Sequence, residues 1–284
     1  MSISIVIPAK NESASLPGVI SRIRALHPHA EVIVVDDGST DNTATSANDA
    51  GAKVISHPYS KGNGAAIKTG ARNASKDVII FMDGDGQHRP EDIQILLDRL
   101  KDNVDMVVGS RDANGQASAS RHFANRLYNR LASWMTGQTV RDLTSGFRAV
   151  RREKFLEFLY LLPNGFSYPT TITMSFFRAG YSVVYQPIAV QARMEGTSSH
   201  INLTRDGIRF FLIIFKVGTL YSPLKLFLPI SFLFFALGSV YYAYTYLLDG
   251  RFTNMGALLF ITSVLVFLIG LVSEQITALM YKDD

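Results

Sequence analysis

Short apolar runs alternate with longer segments of helical periodicity in the first half of the chain. The runs are rich in β-branched residues and cover residues 3–7, 31–35, 53–56, 78–82 and 106–108. Each of the first four precedes a helix-like segment, and this alternation predicts right-handed crossovers and a mainly parallel sheet. The expected fold class is therefore α/β, with the loops that follow the strands gathered at one edge of the sheet.

The pattern changes after residue 210, where long apolar segments replace the alternation. Residues 224–248 carry a single charge, Lys225, and residues 256–280 are interrupted only by Glu274. Each segment is long enough to cross a hydrocarbon core of about 30 Å. The short polar stretch between them predicts a transmembrane hairpin. Because a carboxylate is costly in lipid, Glu274 is expected to face the protein, to snorkel, or to lie near the cytoplasmic end.

A third pattern lies between these two halves. Arg205, Arg209 and Lys216 alternate with aromatic and aliphatic residues, which is typical of an amphipathic helix in the membrane interface. A buried core hairpin of a soluble protein is the alternative reading of the tail, and the length and apolarity of both segments disfavour it. The expected organisation is a catalytic domain over residues 1–200, an interfacial helix region over 201–222 and the hairpin over 223–284.

Composition narrows the partners. The chain has 284 residues, a hydrophobic content of 47% and a net charge of +4. No run of Lys and Arg with interleaved aromatic residues indicates a nucleic-acid groove, so no nucleic-acid partner is expected. The expected anionic partner is a lipid bilayer. The absence of cysteine excludes disulfides, thiolate metal sites and a cysteine nucleophile. Met1 leads directly into a strand-like run without a signal-peptide pattern, so a cytoplasmic catalytic domain at the cell membrane is expected.

Candidate chemistry begins at the turn after the fourth apolar run. Asp83 and Asp85 stand one residue apart where a strand is predicted to end, and open α/β sheets bind ligands at that end of their strands. Two hard oxygen ligands this close together suit Mg²⁺ or Mn²⁺ carrying a diphosphate. A solvated Asp-Gly turn that ends a strand explains an isolated pair equally well.

Two further loops bring polar residues to the same predicted edge. Asp36 and Asp37 follow the second run and are placed to accept hydrogen bonds from a base or ribose, whereas Asp41 or Asn42 could cap the next helix. The loop 61–64, Lys-Gly-Asn-Gly, begins a helix whose amides could meet an anion. It lacks the spacing of a Walker A loop, and no GxGxxG dinucleotide-binding motif follows the first run. A hydride-transfer enzyme that uses a dinucleotide cofactor is therefore disfavoured.

Four ordered motifs resemble the family 2 glycosyltransferases with a GT-A (Rossmann-like) fold. They are VIPAKNE at 6–12, VDDGSTD at 35–41, KGNGAA at 61–66 and MDGDGQH at 82–88. A fifth, RDLTSGFR at 141–148, resembles the branch of dolichyl- or polyprenyl-phosphate sugar synthases, which includes the dolichyl-phosphate mannose synthases. The resemblance covers about residues 1–200.

This resemblance implies inverting transfer of one sugar from a GDP-mannose or UDP-hexose type donor to a polyprenyl or dolichyl phosphate, with Mg²⁺ or Mn²⁺ as cofactor. A lipid phosphate is already ionised near neutral pH, so a general base is less necessary than with a hydroxyl acceptor. The implied metal ligands are Asp83, Asp85 and Gln87. The implied nucleotide and donor contacts are Pro8, Ala9, Asn11, Glu12, Asp36, Asp37, Lys61, Gly64, Asp83, Gly84, Asp85 and Arg193. The implied acceptor-phosphate contacts are Arg111, Arg121, Ser145, Arg148 and His200.

Asp142 holds the position that this family often assigns as catalytic, and it is expected to orient the acceptor or to sense its proton. A helix cap or a partner for Arg148 is the alternative. Arg111 and Arg121 complete the expected catalytic set, because they flank a small, polar stretch that reads as a loop ordering over substrate. Arg126 and Arg130 are expected on a helix surface. His200 departs from the family pattern, since Lys is usual there and the charge of His titrates near neutral pH.

Two other functions share parts of this pattern. Processive polysaccharide synthases carry a Gln-x-x-Arg-Trp segment, and the residues before Trp134 do not match it. A non-catalytic membrane scaffold with this fold would have lost Asp83, Asp85 or Asp142, and all of them remain. The hairpin could also pack against a second copy, which makes a homo-oligomer an expected partner. The identity of the sugar depends on contacts worth about 1–3 kcal/mol each and is not readable from these motifs.

Overall fold

The computed structural model describes residues 1–101, 103–111, 119–165, 168–188, 215, 218–219 and 221–280. The side chains of residues 111, 119–125 and 249 lie outside this description.

Seven strands form one twisted sheet in the order β3-β2-β1-β4-β6-β5-β7. The strands are β1 Ile3–Ala9, β2 Glu31–Asp36, β3 Lys53–Ser56, β4 Val78–Phe81, β5 Met106–Arg111, β6 Arg148–Arg151 and β7 Val183–Ile188. All neighbouring pairs are parallel except those of β6, which runs antiparallel to both β4 and β5. The five predicted strands and the mainly parallel sheet are confirmed.

The reversed strand β6 positions the site. Because β6 is antiparallel, its first residue, Arg148, pairs with Phe81 and Val108 near the carboxyl ends of β4 and β5. The segment 141–147, which precedes β6, therefore arrives at the sheet edge that receives the loops after the parallel strands. The sequence analysis did not predict this strand, because its four residues, Arg-Ala-Val-Arg, are charged at both ends and form no apolar run.

Helices cover both faces of the sheet, as apolar strands that are buried on both faces require. The helices that precede the apolar tail are α1 Leu16–Leu26, α2 Thr43–Asp49, α3 Asn63–Asn73, α4 Asp92–Arg99, α5 Ala119–Thr136, α6 Arg152–Leu156 and α7 Tyr168–Arg178. One core lies under α1, α2 and α4, and a second lies under α3, α6 and α7. Helix α3 packs closely on the sheet because Gly70 has no side chain: a Cβ there would lie 2.2 Å from Val6 Cγ1.

Two long apolar helices, α8 Pro223–Asp249 and α9 Asn254–Met280, form an antiparallel pair after the catalytic domain. They have mean hydropathies of 1.8 and 2.6, and both are long and apolar enough to cross a membrane. Ser231 and Ser263 each donate to the other's carbonyl oxygen at 2.9 Å. A Cβ at Gly270 would lie 2.7 Å from Phe227 Cβ, so glycine allows this close contact. Such small and polar contacts are typical of helix pairs in lipid.

Glu274 faces the protein, one of the three positions expected for it. Its Oε2 accepts hydrogen bonds from Ser222 Oγ at 2.9 Å and from the Leu224 amide at 3.1 Å, at the start of α8. Its Oε1 lies 3.3 Å from Arg178 Nη2, at the end of α7. The carboxylate thus satisfies the positive end of one helix and pairs with a cation of the catalytic domain. The expected interfacial helix at 201–222 falls mostly outside the described residues.

Candidate active site

The acidic turn 83–87 follows β4 directly, at the carboxyl edge of the sheet. Gly86 adopts a left-handed backbone with φ of 74°, which glycine tolerates. The Asp85 carboxylate accepts the Gln87 amide at 3.0 Å and so closes the turn on itself. Ser15 Oγ donates to the Gly84 carbonyl at 2.9 Å and fixes the turn to the start of α1. These hydrogen bonds fix the conformation of the turn at the carboxyl edge of the sheet.

Two other segments enclose the carboxylate of Asp83, whose side chain remains 40% exposed. A Cβ at Gly146 would lie 3.3 Å from Asp83 Oδ2, so the segment before β6 passes directly beside it. His88 Nε2 lies 3.7 Å from the same oxygen, and its ring stacks on Phe147 with centroids 4.9 Å apart. Asp83 thus lies at the junction of the two loops.

The loops after β1 and β2 hold each other. Asn11, at a left-handed φ of 55°, accepts the Thr40 amide at 2.8 Å, and its own amide donates to Ser39 Oγ at 2.9 Å. The carboxylate of Glu12 packs against the acidic turn, because a Cβ at Gly84 would lie 2.2 Å from Glu12 Oε2. Pro8 and Ala9 end β1 beside these loops. The predicted donor residues of β1 and β4 are therefore neighbours.

Asp37 is a carboxylate of this edge that is bonded within the chain through both of its oxygens. It accepts His57 Nδ1 at 2.7 Å and Ser60 Oγ at 2.8 Å, together with the amides of Lys61 and Gly62, both at 2.8 Å. Burial by itself raises the pKa of Asp37, but these hydrogen bonds outweigh it and lower the pKa to about 2. Both oxygens are thus committed to the loop 57–62, which the carboxylate holds in shape.

His57 is a site residue that the sequence analysis missed. Its Nδ1 faces Asp37, and its Nε2 lies 2.9 Å from Thr69 Oγ1 on α3. A neutral ring protonated at Nδ1 satisfies both contacts, with the threonine hydroxyl as donor to Nε2. A single histidine after a strand carries no sequence signal that separates this role from a surface position.

The start of α3 differs from the expectation that its amides meet an anion. The Gly64 amide donates to the Gly165 carbonyl at 3.3 Å, and the Ala65 amide donates to the Asn164 carbonyl at 2.9 Å. Gly64 is required by this contact, since a Cβ there would lie 2.0 Å from the Pro163 carbonyl oxygen. These amides are therefore engaged by the segment 163–165. The side chain of Lys61 is exposed and reaches the Tyr59 ring at 5.7 Å.

Asp142 lies in a tight polar turn before β6 and is 5% exposed. Its Oδ1 accepts the amides of Thr144 at 3.0 Å and Ser145 at 3.1 Å, and also the Thr144 hydroxyl. Asn129 on α5 brackets this turn by donating to the Arg141 carbonyl and accepting the Leu143 amide. No described helix begins at this turn, so the Asp142 carboxylate closes the turn itself and caps no helix. Its catalytic role stays a prediction.

Arg148 differs from its predicted role as a contact of the acceptor phosphate. It is 0% exposed and donates to the Ser145 carbonyl, to the Pro169 carbonyl at 3.3 Å and to Thr173 Oγ1 at 3.2 Å. A guanidinium that is fully enclosed and bonded in this way cannot meet a ligand in solution. The sequence signal failed because an arginine that ends a motif looks the same whether it faces inward or outward.

The buried charge of Arg148 nevertheless acts on the site. Burial lowers the pKa of Arg148, while Tyr168, Tyr185, Asp142 and Asp83 raise it. Its guanidinium lies 5.6 Å from the centre of the Tyr168 ring, whose hydroxyl donates to the Gly146 carbonyl at 3.1 Å. The buried charge of Arg148 therefore interacts with the carboxylates of Asp142 and Asp83. Tyr168 is a second site residue that sequence reasoning missed.

The side chains of four predicted cations lie outside the described residues. The backbone of Arg111 ends β5 and that of Arg121 lies in α5, but both side chains fall outside the described residues, as do Arg193 and His200 entirely. Arg126 and Arg130 are exposed on α5, as expected. The loop predicted between Arg111 and Arg121 also lies mostly outside the description.

The donor set at the acidic turn fits a divalent cation that is completed by substrate. Among the described residues no group of three or more His, Asp or Glu side chains could hold a metal ion by itself. Asp83 and Asp85 supply hard oxygens, and Mg²⁺ and Mn²⁺ commonly take one or two carboxylates with phosphate and water in the other positions. The Gln87 side chain is half-buried beside them. The residues present therefore suit a metal that arrives with a diphosphate.

Comparison with protein families agrees with this architecture. The model of glycosyl transferase family 2 matches residues 4–159, more than half of the chain. The chain belongs to glycosyl transferase family 2. The model of the GtrB C-terminal hairpin matches residues 222–279, which are the two apolar helices. This member of the family is a glycosyltransferase. The hairpin, together with relatives named for polyprenol and undecaprenyl phosphate, supports the polyprenyl-phosphate sugar synthase branch.

Three curated relatives are similar to this chain over two thirds or more of its length. Glycosyltransferase AglJ of Haloferax volcanii is 30% identical, over 98% of this chain and 94% of its own length. The polyprenol monophosphomannose synthase of Mycolicibacterium smegmatis is 31% identical, over 68% of this chain and 79% of its own. The undecaprenyl-phosphate mannosyltransferase of Micrococcus luteus is 31% identical, over 73% and 95%. The predicted family is confirmed.

Solved structures confirm the predicted GT-A fold. Glucosyl-3-phosphoglycerate synthase from Mycobacterium tuberculosis, in complex with Mn²⁺ and UDP-glucose, superposes with a TM-score of 0.60 at 25% identity. The superposition covers 76% of this chain and 78% of that one. A divalent metal and a nucleotide sugar are thus present together in a neighbour of this fold.

Proposed function

We propose that this glycosyltransferase moves one sugar, with inversion, from a GDP- or UDP-sugar to a polyprenyl or dolichyl phosphate at the cytoplasmic face of the cell membrane. The observation that carries the proposal is helix α7. At its first residue the Tyr168 hydroxyl bonds the Gly146 carbonyl beside Asp83, and at its last residue Arg178 pairs with Glu274 of the hairpin. One short helix thus joins the acidic turn to the apolar helices.

The hairpin is attached to the catalytic domain at further points. Lys225 Nζ donates to the Met135 carbonyl at 2.9 Å, at the end of α5. The Tyr160 hydroxyl donates to the Met280 carbonyl at the end of α9. An enzyme with a water-soluble acceptor has no need of such an anchor, whereas a polyprenyl phosphate is reached only at the bilayer surface. The relatives named for polyprenol and undecaprenyl phosphate support this acceptor class.

The chemistry follows from the charges at the edge. A lipid phosphate oxygen attacks the sugar C1, the bond to the diphosphate breaks, and the nucleoside diphosphate leaves. Asp83 and Asp85 would hold the Mg²⁺ or Mn²⁺, which when bound neutralises the diphosphate. Because the attacking phosphate is already an anion, Asp142 is not required as a base and serves to orient the turn 142–145. Arg148 stabilises that turn beside Asp83 by donating a hydrogen bond to the Ser145 carbonyl.

The donor is proposed to lie over the half of the edge formed by β1, β2 and β4. Asn11 and Glu12 shape its floor, with Asp36 and Lys61 at its side, and Pro8, Ala9 and Gly84 allow close approach of the backbone. Asp37 contributes indirectly by holding the loop 57–62 in place. Arg111, Arg121, Arg193 and His200 are proposed as the cations that receive the acceptor phosphate.

A donor panel tests the function directly. The full-length protein in detergent is incubated with Mn²⁺, a polyprenyl phosphate and single GDP- or UDP-sugars, and the released nucleoside diphosphate and the lipid product are measured. The expected result is lipid-dependent release with one donor and a product carrying one sugar. A product carrying many sugars indicates a processive enzyme, and transfer to 3-phosphoglycerate without lipid indicates a soluble acceptor. Either result, or no product with any donor, overturns the proposal.

A further inference from the structure

Helix α5 exposes a face on which cationic and large apolar side chains are interleaved. Arg126, Leu127, Arg130 and Trp134 are all exposed, with Leu127 at 45% and Trp134 at 54%. At 100° per residue these four side chains fall within an arc of about 100° on the helix. The opposite side carries Tyr128, Ala132 and Met135, which are buried in the third apolar cluster of the fold. One face of α5 is therefore buried and apolar, whereas the exposed face carries both cationic and apolar side chains.

The carboxyl-terminal end of this helix contacts the start of the hairpin. The last turn of α5 accepts Lys225 Nζ at the Met135 carbonyl, 2.9 Å away, and the Tyr221 hydroxyl at the Thr136 carbonyl, 3.4 Å away. Lys225 stands in the first turn of α8, where the apolar span begins. A helix tied to the end of a membrane span lies at the level of the lipid headgroups. Trp134 is one residue from the first of these contacts.

We propose that α5 is a membrane-contact helix, with Trp134 and Leu127 inserted among the headgroups and Arg126 and Arg130 paired with anionic lipid phosphates. Tryptophan and arginine are the side chains that suit this layer, because each combines an apolar body with a polar or charged end. Each cation near an anionic surface adds to the attraction. The inference rests on the membrane location in the proposed function and adds a second attachment to the bilayer besides the hairpin.

The contact has a consequence for the active site. Asn129, on the side of the same helix, accepts the Leu143 amide at 3.1 Å and donates to the Arg141 carbonyl, so it brackets Asp142. Tyr128 donates to Thr170 at 2.8 Å, near the start of α7. A lipid contact through α5 therefore fixes the height of the Asp142 turn above the bilayer, where a lipid phosphate must reach it.

The single tryptophan of the chain makes the test direct. The full-length protein is reconstituted in bilayers containing phosphatidylglycerol, with acyl chains brominated near the carbonyl end or unbrominated. Emission from Trp134 is expected to fall roughly twofold or more in the brominated bilayers, because an interfacial indole lies within reach of those bromines. Acrylamide added to the water is expected to quench it weakly.

Two relocated tryptophans serve as controls in a Trp134→Phe background. Phe232→Trp reports the first half of α8, where the native side chain is 68% exposed, and should be quenched by brominated chains. Leu26→Trp reports the end of α1, which packs with α2. The native Leu26 side chain is 38% exposed, so a tryptophan there should be quenched by acrylamide only. Quenching at Phe232→Trp without quenching at Trp134 would leave the hairpin in the membrane and refute the α5 contact.

The remaining outcomes also decide the question. If neither acrylamide nor brominated lipid quenches Trp134, protein covers this face and the proposal is wrong. For the charges, Arg126→Gln with Arg130→Gln should reduce the lipid quenching of Trp134 in phosphatidylglycerol bilayers toward its value in phosphatidylcholine. Unchanged quenching in the anionic bilayer would remove the two arginines from the proposal.

Discussion

Two carboxylates of the same sheet edge, Asp37 and Asp83, stand in opposite environments. The side chain of Asp37 is 6% exposed and accepts four hydrogen bonds from the chain itself, whereas that of Asp83 is 40% exposed at the junction of two loops. Both belong to short acidic motifs after apolar strands. Short acidic motifs after strands can therefore hold carboxylates of two kinds: those bonded within the chain, such as Asp37, and those left partly open to solvent, such as Asp83.

The largest expected effect belongs to the exposed pair. Asp83→Asn or Asp85→Asn should reduce turnover by more than about 100-fold, because even residues that only support a metal ligand contribute 10–100-fold. The midpoint of thermal unfolding should change little, since the native carboxylate of Asp83 is partly solvated. Turnover within tenfold of the wild type in either variant would contradict the metal assignment.

The buried acid should show the reverse profile. Asp37→Asn places an amide nitrogen against N–H or O–H donors that the carboxylate now satisfies, and hydrogen bonds to a charged group contribute about 1.5–3 kcal/mol each. The unfolding midpoint of the purified protein should therefore fall by about 5–10 °C. Ser60→Ala, which removes only one of the donors, is the matched control and should cost less. An unfolding midpoint equal to that of the wild type would show that the loop 57–62 does not depend on Asp37.

The same comparison shows what the sequence could and could not predict. Strand positions, the order of the polar loops and the hairpin follow from the short apolar runs, the helical periodicity of 3.6 residues and the length of the apolar segments, which are local properties. Whether a motif residue faces inward is decided by distant partners. Arg148 is enclosed by residues of α7, and Asp37 by residues twenty or more positions along the chain. The antiparallel strand β6 also depends on its neighbours, because its own four residues carry no strand pattern.

A pH series sharpens the contrast further. The pKa of Asp37 in the folded state is about 2, below the ordinary value of 3.8, so its contribution to stability is complete above about pH 4 and is lost as the pH falls toward 2. The full contribution is about 2 kcal/mol. The difference in stability between wild type and Asp37→Asn should therefore shrink between pH 4 and pH 2. A difference that stays constant across this range would mean that the charge of Asp37 does not stabilise the fold.

The smallest effect is expected where the catalytic domain meets the hairpin. Glu274→Gln keeps an oxygen to accept the Leu224 amide but removes the charge that faces Arg178 at 3.3 Å. A partly exposed pair of this kind contributes about 1 kcal/mol, so the KM for the lipid phosphate should rise roughly fivefold. The KM for the nucleotide sugar should stay unchanged, because the contacts of Glu274 with described residues lie at the start of α8 and the end of α7, away from the donor half of the edge. Arg178→Gln should give the same increase, and combining the two substitutions should add little, since a single interaction is lost in all three variants. Equal increases in both KM values would show that the pair supports the fold in general and does not set the approach of the lipid.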